Sequence, residues 1–427
     1  MHRLLIKHAR QVVTVCKNGE TLLKGAAMND VCVLNGPVSV VINCDGHIGY
    51  IGEDTEVSQK FEEKEFERIV DATDCCLIPG LVDGHTHPVF AGDRVHEFAM
   101  KLAGASYMDV HKAGGGIHFT VDHVHRATED ELLTNLKEIL RRMLQAGTTL
   151  LEAKSGYGLD TENEIKMLKV LERAKKEGPV EISSTYCGAH AVPCGLTAAE
   201  ATSDIINKQL PSLKSLLSSG ELHVDNIDVF CEKGVFELAD TEKILKAGKE
   251  IGLEINFHAE ELNQLNSVEL GVSLGARAAS HLEEISDKGI EMMGASSTVG
   301  VVLPTTAYIL KLKPPPVRKM IEHGCAVALG SDFNPNAFCL SMPLVMHLAC
   351  VTFGMTMNEA LVASTINAAA SIGRSHSHGS LEVGKVADML ILDCPRWEHL
   401  IYQFGGHDHV IKHVIKKGRV VHSRMST

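Results

Sequence analysis

The sequence predicts an α/β protein: a TIM-like (β/α)8 barrel carrying a small composite β-sandwich domain formed by both ends of the chain. First, eight short apolar strands alternate with amphipathic helices over roughly 250 residues, which is the usual size of such a barrel. Second, the segments on either side share another texture, with short strands and tight turns. Third, the 427 residues exceed one ordinary domain but fit a barrel with an appendage.

The first segment is strand-like and interrupted by turns. Strands are predicted at 3–9, 11–15, 38–42 and 47–52, and Asn-Gly and Asp-Gly dipeptides between them are typical of tight turns. The charged stretch 62–68 predicts a surface connection. Strand-like texture returns past residue 374, at 381–383, 387–393 and 409–421, so we expect this tail to pair with the N-terminal strands. The predicted units are 1–76, 77–373 and 374–427, with the first and last forming one β domain.

The barrel region begins where the chain becomes apolar. Its eight predicted strands are 76–82, 148–153, 181–189, 226–230, 254–258, 278–281, 298–303 and 326–330. Segments 129–146 and 161–177 have the period of amphipathic helices. The alternative is a doubly wound open sheet, which would need a glycine-rich phosphate loop after its first strand. The sequence has no such loop there.

Composition excludes several classes of partner. Hydrophobic residues make up 44% of the chain and charged residues 22%, which is typical of a globular enzyme. The net charge of -13 argues against nucleic acid or an anionic membrane as the main partner. A small anionic substrate is compatible with this charge, provided that the protein supplies a local cation.

The cysteines and the first residues bear on location. The 12 cysteines are scattered without a Cys-x-x-Cys pair, which favours a reducing compartment. The apolar stretch at the N-terminus is too short for a signal peptide, and no window approaches the ~20 apolar residues of a membrane helix. We therefore expect a cytoplasmic protein.

The most informative motif is His85-Thr-His87, which directly follows the first predicted barrel strand. Positions i and i+2 of an extended chain face the same side, so two imidazoles can bind one divalent metal. The same spacing recurs at 123/125, 376/378 and 407/409, where polar or glycine-rich surroundings indicate solvated loop histidines. The setting of the first copy, at the end of a buried strand, distinguishes it from the others.

Further polar residues end later strands, and in such barrels the active site lies where strands end. His258 and His281 end two middle strands, and Asp332 follows the last one. Three histidines and one aspartate around an open position are the ligand set of a hydrolytic zinc or iron site. Such a metal lowers the pKa of bound water from 15.7 to about 7, so that hydroxide is available at neutral pH.

These residues resemble the amidohydrolase superfamily. The resemblance runs through 79–87, the strand ends at His258 and His281, residues 330–332 and the tail segment 384–388, and it covers nearly the whole chain. It implies the barrel with its composite β domain, and a homodimer. Lys154 is the nearest candidate for a carbamylated lysine that would bridge two metals, but we expect one divalent metal per chain, zinc or iron.

Within the superfamily, seven segments resemble the enzymes that open an imidazolone ring in histidine breakdown. The segments are 85–94, 104–107, 113–117, 154–158, 188–193, 258–261 and 330–336. The resemblance implies hydrolysis of the ring amide of 4-imidazolone-5-propanoate to N-formimidoyl-L-glutamate. It also implies that His85, His87, His258 and Asp332 bind the metal.

The same resemblance gives roles to polar residues near the strand ends. The predicted substrate-binding residues are Arg94, Tyr107, Tyr157, His190, Glu261, Asn334 and Asn336. Arg94 would clamp the propanoate, the two tyrosines would hold the flat ring and the carboxylate, and His190 would contact the ring carbonyl. The family commonly has glycine followed by threonine or serine where this chain has Asn336 and Ala337, so a hydroxyl contact is lost. The glycines at 114–116 predict a lid or substrate loop.

The predicted catalytic residues are Glu261, His281 and Asp332. Glu261 would shuttle a proton to the departing ring nitrogen, while Glu260 would point elsewhere as a surface charge. His281 would contact the attacking water, although it could also be a fourth nitrogen ligand. One rival function is an aminohydrolase acting on guanine, adenine or a related base, which would not need Arg94. The other is a metal-free scaffold protein, against which the intact ligand set argues.

Overall fold

The computed structural model describes residues 1–104 and 115–424. Tyr107 and Gly114, two positions with predicted roles, lie outside these residues. The strands are β1 His2–Val15, β2 Cys32–Ile42, β3 Ile48–Glu53, β4 Phe66–Asp71, β5 Cys76–Pro79, β6 Leu81–Asp83, β7 Thr148–Lys154, β8 Glu181–Ala189, β9 Asn226–Cys231, β10 Glu254–Ala259, β11 Ala278–His281, β12 Val299–Val302, β13 Ala326–Leu329, β14 Met389–Leu392, β15 Ile411–Lys416 and β16 Arg419–Ser423.

Most helices lie between the strands β6 to β14. The α-helices span Asp54–Lys60, Val95–Leu102, Ile117–Arg126, Glu129–Gln145, Thr161–Glu177, Ala198–Asp204, Leu210–Ser218, Leu238–Glu250, Ser267–Ser273, Asp287–Ala295, Pro304–Leu310, Val317–Glu322, Met342–Phe353, Met357–Ala363, Ile366–Ser371, His399–Tyr402 and His407–Val410. Short 3-10 helices occur at Gly25–Asn29 and Glu63–Glu65, and a π-helical turn at Ile205–Gln209.

Strands β6 to β13 form a parallel sheet in which neighbours in the chain are neighbours in space. Just beyond the first and eighth strands, the N–H of Gly84 donates to the carbonyl of Leu329 (3.1 Å) and the N–H of Asp332 to the carbonyl of His85 (3.0 Å). These bonds join the two ends of the sheet. The predicted (β/α)8 barrel is therefore confirmed, and it brings all eight C-terminal strand ends to one rim.

The remaining strands form a second, mixed sheet from both ends of the chain, in the order β16-β15-β14-β5-β1-β2-β3, with β4 also paired to β1. The 14-residue β1 is its central strand and carries several register irregularities where it pairs with β2. Apolar side chains from N-terminal and C-terminal strands share one buried cluster, which includes Ile6, Val40, Leu77, Met389 and Ile415. The predicted composite β domain is confirmed, and its strands belong to one continuous sheet.

The predicted strand 76–82 is divided between the two sheets. Residues of β5 pair with β1 and β14, whereas β6 begins the barrel after Gly80. A side chain at Gly80 would place its Cβ only 2.3 Å from Thr149 Oγ1, so the chain crosses between the sheets at a glycine. The division of the chain at 76/77 and 373/374 remains a prediction.

The charged stretch 62–68 was predicted to be a surface connection, and the structure differs from this prediction. Its second half begins β4, which pairs in parallel with β1 at His2 and beyond. Glu67 and Arg68 are exposed on this strand, and Val70 is its one buried residue. The strand was not predicted because its sequence is mostly charged. In the described ranges, no helix is both long and apolar enough to cross a membrane.

Candidate active site

The predicted metal ligands meet at the C-terminal rim of the barrel. His85 and His87 follow β6, His258 lies near the end of β10, and Asp332 follows β13. All four are buried. The Nε2 atoms of His87 and His258 are 3.2 Å apart, and Asp332 Oδ1 lies 3.5 Å from His85 Nε2 and 3.7 Å from His87 Nε2. Four residues from three separate strands therefore direct donor atoms at one point.

The hydrogen bonding of these side chains fits a metal ion. Within the described part of the chain, both ring nitrogens of His85, Nδ1 of His87 and Oδ1 of Asp332 are buried without a hydrogen-bond partner. Buried polar atoms are seldom left unpaired in folded proteins. Burial, together with neighbouring positive charge, holds the pKa of His85 and His87 well below its ordinary value, so that both rings are neutral and keep a lone pair. A divalent cation would satisfy His85 Nε2 and Asp332 Oδ1, which lie 3.5 Å apart, so the residues fit the group.

His281 lies at the same centre. Its ring stacks on His258 with 5.2 Å between centroids, and its donor atom forms a close triad with those of His85 and His258. His281 Nε2 is 3.6 Å from Glu261 Oε2. The backbone is left-handed at His281 (φ 81°) and at Asp332 (φ 49°), an uncommon conformation for side chains of this size. His281 is therefore placed either to bind the metal or to act beside it.

Side chains that the strand-end pattern did not single out hold the ligands in place. Thr306 donates to Asp332 Oδ2 at 2.5 Å, which leaves Oδ1 directed at the histidines. Asp83 accepts from the N–H of Ser331 at 2.8 Å and from its hydroxyl at 2.5 Å, and so ties the first strand to the last. Thr306 follows the seventh strand and Asp83 ends the first, so reading every strand end would have found both.

A fully buried series of ion-paired side chains adjoins the predicted metal ligands. Lys154 Nζ is 2.6 Å from Glu152 Oε1 and 2.7 Å from Asp228 Oδ2. Asp228 Oδ1 in turn accepts from His258 Nδ1 at 2.8 Å. Lys154 is thus engaged by two carboxylates, which argues against its role as a carbamylated metal bridge. Glu152 and Asp228 were not predicted, because their partners lie on neighbouring strands far away in sequence.

A cavity of about 590 Å³ opens beside this centre. His87, His258 and Asp332 line one part of it, and Arg94 and Lys101 line another. The cavity is large enough for a small heterocyclic molecule.

Comparisons with known proteins agree with this geometry. The profile of the amidohydrolase family matches residues 76–421. This chain belongs to the amidohydrolase family. A probable imidazolonepropionase from Nematostella vectensis is 64% identical to it, over 99% of this chain and 100% of the relative. A probable imidazolonepropionase from Homo sapiens is 58% identical, over 99% of each chain. The predicted hydrolase class and the resemblance on which it rested are confirmed.

Solved structures with low sequence identity to this chain share the fold. An adenosine deaminase from Xanthomonas campestris with bound zinc aligns with a TM-score of 0.73 at 17% identity, covering 99% of this chain and 93% of the other. The guanine deaminase of E. coli aligns with a TM-score of 0.74 at 13% identity, covering 99% of each. At these identities the likeness concerns the fold alone.

Glu261 is the predicted proton shuttle of this amidohydrolase, and its carboxyl group lies in the cavity wall. The side chain is 11% exposed. Burial, helped by the negative charges of Asp332 and Glu232, raises the pKa of Glu261 to about 8. The neighbouring Glu260 was predicted to be a surface charge, and this is wrong. It is fully buried and accepts hydrogen bonds from Ser267 and from the N–H of Leu265, which holds the loop after β10.

Arg94 lines the cavity but is not a free cation. Its Nε and Nη2 donate to the two oxygens of Glu97 at 2.9 and 2.7 Å. Lys101, one turn after Glu97 on the helix Val95–Leu102, contacts the side-chain oxygen of Asn336. Among the described residues, no carboxylate lies within ion-pair distance of Lys101. The two cations therefore differ, since among the described residues an ion pair balances the charge of Arg94 and none balances that of Lys101.

His190 and Tyr157 lie against the metal-ligand histidines. The ring of His190 stacks on His87 with 4.6 Å between centroids, and Tyr157 packs 5.2 Å from His190. His190 Nδ1 lies 2.9 Å from the carbonyl of Gly156, which can only accept, so this nitrogen carries the proton. Burial lowers the pKa of His190 to about 3. The neutral ring therefore presents the lone pair of Nε2, and not an N–H group, as its second polar atom.

The two predicted asparagines have different surroundings. The side chain of Asn334 bonds within its own loop, donating to the carbonyl of Asp332 and accepting from the N–H groups of Asn336 and Ala337. The side chain of Asn336 contacts Lys101, and both asparagines line the cavity.

The three repeated His-x-His pairs were predicted to be solvated loop histidines, and this is wrong. The pairs 123/125 and 407/409 lie on helices, and the third pair has a buried member. His378 is buried, with Nε2 at 3.5 Å from carboxylate oxygens of both Glu181 and Asp388. It is not a solvated loop histidine, and it lies apart from the metal-ligand histidines.

Proposed function

We propose that this chain is an imidazolonepropionase, which hydrolyses the ring amide of 4-imidazolone-5-propanoate to N-formimidoyl-L-glutamate. The observation that carries the proposal is a single cavity lined by the cluster of metal-ligand side chains and by two cationic side chains. Such a cavity suits a small ring with an anionic arm. The name shared by relatives that match along 99% of the chain supports this choice over a purine aminohydrolase.

We assign metal binding to His85, His87, His258 and Asp332, with one zinc or iron ion per chain. The ion would supply water acidified enough to attack the ring carbonyl near neutral pH. Neutral imidazoles and one ionised carboxylate are suitable donors for either metal.

Glu261 moves the proton in this proposal. Its pKa of about 8 in the absence of a cation would be lowered toward neutrality by a nearby divalent charge, which is the range in which a proton shuttle works best. The carboxylate would accept a proton from the attacking water and give it to the ring nitrogen as the carbon–nitrogen bond breaks. His281 Nε2 lies 3.6 Å from Glu261 Oε2, so His281 is the next residue beside this carboxylate.

His190 takes a revised role. Because its Nδ1 donates to Gly156, neutral His190 would accept a hydrogen bond from a ring N–H of the substrate, instead of polarising the ring carbonyl. Tyr157 packs against it and would support the flat face of the same ring.

The propanoate arm needs a net positive charge. The ion pair with Glu97 neutralises Arg94, so Lys101 supplies the additional charge, and Asn336 positions it. Arg94 would contribute its directional N–H groups. The cytoplasmic location and the homodimer remain predictions.

The test is hydrolysis of freshly prepared 4-imidazolone-5-propanoate, followed by loss of its ultraviolet absorbance, with metal content measured on the same sample. We expect chelator-sensitive turnover with about one metal per chain. Bound metal without this turnover, but with ammonia release from guanine or adenine, would establish the rival aminohydrolase. Absence of both metal and turnover would leave the scaffold interpretation.

A further inference from the structure

We infer that Lys154 is a positioning residue that connects three of the four assigned metal ligands through two arms, each of them a buried carboxylate. Asp228 leads to His258, and Glu152 leads to Thr86, which separates His85 from His87. The inference rests on the metal centre of the proposed function. Lys154, Glu152 and Asp228 are all fully buried at the end of strands β7 and β9, directly behind the histidines.

The first arm orients His258. Lys154 Nζ forms an ion pair with Asp228 Oδ2 at 2.7 Å, while Asp228 Oδ1 accepts from the N–H of His258 at 3.0 Å and from its Nδ1 at 2.8 Å. A carboxylate can only accept, so Nδ1 of His258 carries a proton, and Nε2 is the nitrogen available to a metal. That nitrogen is the one 3.2 Å from His87 Nε2.

The second arm holds the residue between the other two histidines. The N–H of Thr86 donates to Glu152 Oε2 at 3.4 Å, and the hydroxyl of Thr86 donates to the backbone carbonyl of the same residue at 2.6 Å. Lys154 Nζ also donates to Glu152 Oε1, which accepts a further hydrogen bond from Thr185. Because Thr86 separates His85 from His87, fixing its backbone fixes the origin of both rings.

The energetics argue for a role beyond stability. Burying three charges is expensive, and well-packed apolar residues often serve stability as well as a buried ion pair does. A second buried lysine, Lys416, also contacts two carboxylates but lies at the other end of the barrel, far from any assigned ligand. Side chains that orient metal ligands typically change metal affinity 10–100-fold when they are removed. Lys154 has the contacts of such a residue, whereas Lys416 does not.

The test measures zinc affinity of the full-length chain by competition with a chromophoric chelator, and the absorption spectrum of the cobalt-loaded form. We expect K154M to weaken zinc binding by about 10–100-fold and to change the cobalt spectrum. The matched control, K416M, should leave both unchanged while lowering the melting temperature.

A double variant separates geometry from charge balance. E152Q/K154M removes one negative and one positive charge, so it should fold even if K154M does not. We expect its zinc affinity to stay about 10-fold or more below wild type. Zinc affinity within about 3-fold of wild type in the double variant or in K154M would overturn the inference. Since zinc binding is measured without substrate, wild-type zinc binding without ring hydrolysis would reject the proposed function and leave this inference standing.

Discussion

Two groups of ionisable side chains, most of them buried, lie at opposite ends of the barrel, and they differ in how completely they are paired. The rim cluster consists of His85, His87, His258 and Asp332, and several of its buried atoms have no hydrogen-bond partner among the described residues.

The junction cluster consists of Lys416, Asp388 and Glu181, where the mixed sheet meets the start of β8. Lys416 contacts both carboxylates, and the N–H of Lys417 donates to Asp388 at 2.8 Å. Removal of one partner from a buried ion pair destabilises a fold, whereas buried polar atoms without a partner mark a place where a ligand can complete the structure. Substitutions in the two clusters should therefore have separable effects.

The largest effect is expected from the rim cluster. H258A should reduce bound metal from about one per chain to near zero and turnover by on the order of 10³-fold or more, because one of four donors is lost. Metal analysis and steady-state kinetics measure both. The melting temperature of the metal-free protein should change little, and a large decrease there would remove the distinction between the clusters.

A substitution of Glu261 tests the chemical step separately from metal binding. E261Q should lower kcat by about 10²–10⁴-fold, since a general acid–base is lost, while bound metal stays near the wild-type level. The neighbouring E260Q is the matched control, because Glu260 bonds its own loop and should affect stability more than kcat. Loss of metal in E261Q would show that this carboxylate had been misassigned.

The junction cluster should respond in the opposite way. K416M removes the lysine that pairs with the buried Asp388 and should lower the free energy of unfolding by about 3–5 kcal/mol. The adjacent K417M, whose side chain is 58% exposed, should lower it by no more than about 1 kcal/mol. Denaturant unfolding of the two variants measures this difference, and equal effects would contradict the comparison.

A smaller effect is expected at the far wall of the cavity. K101M should raise KM for the carboxylate substrate by about 10–100-fold with little change in kcat, since one charge-assisted contact is lost. K101R should retain most of the affinity. As a check, the propanoate of the substrate is replaced by its amide. If K101M weakened binding of the amide as much as binding of the acid, Lys101 would not recognise the propanoate.

The smallest expected effect is a difference in the number of protons released when zinc binds. With a pKa of about 8, the carboxyl of Glu261 is largely protonated at pH 7 before metal arrives, and a nearby cation would drive the proton off. Zinc binding at pH 7 should therefore release up to about one proton more from the wild type than from E261Q. Calorimetry in two buffers of different ionisation enthalpy measures this number, and equal release would mean that Glu261 does not titrate on loading.

Local pattern predicted the strand ends well, and with them the candidate ligands. Apolar runs ending in His258, His281 or Asp332 are visible in the chain because strand burial and the polar residue that follows are neighbours in sequence. Strand β4 was missed because an edge strand that buries one apolar residue has no such pattern. Glu260 and His378 were misread because burial of a polar residue depends on partners elsewhere in the chain.

The sequence by itself determined the barrel, the composite β domain and the set of His and Asp side chains that the barrel brings to its rim. The tertiary structure alone decided which of their atoms form hydrogen bonds with other side chains. It placed Asp228 on His258 and Thr306 on Asp332, and it made Lys154 the link between β7 and β9. The physical reason is that hydrogen bonding between adjacent strands joins residues tens of positions apart, and no local periodicity records those pairs.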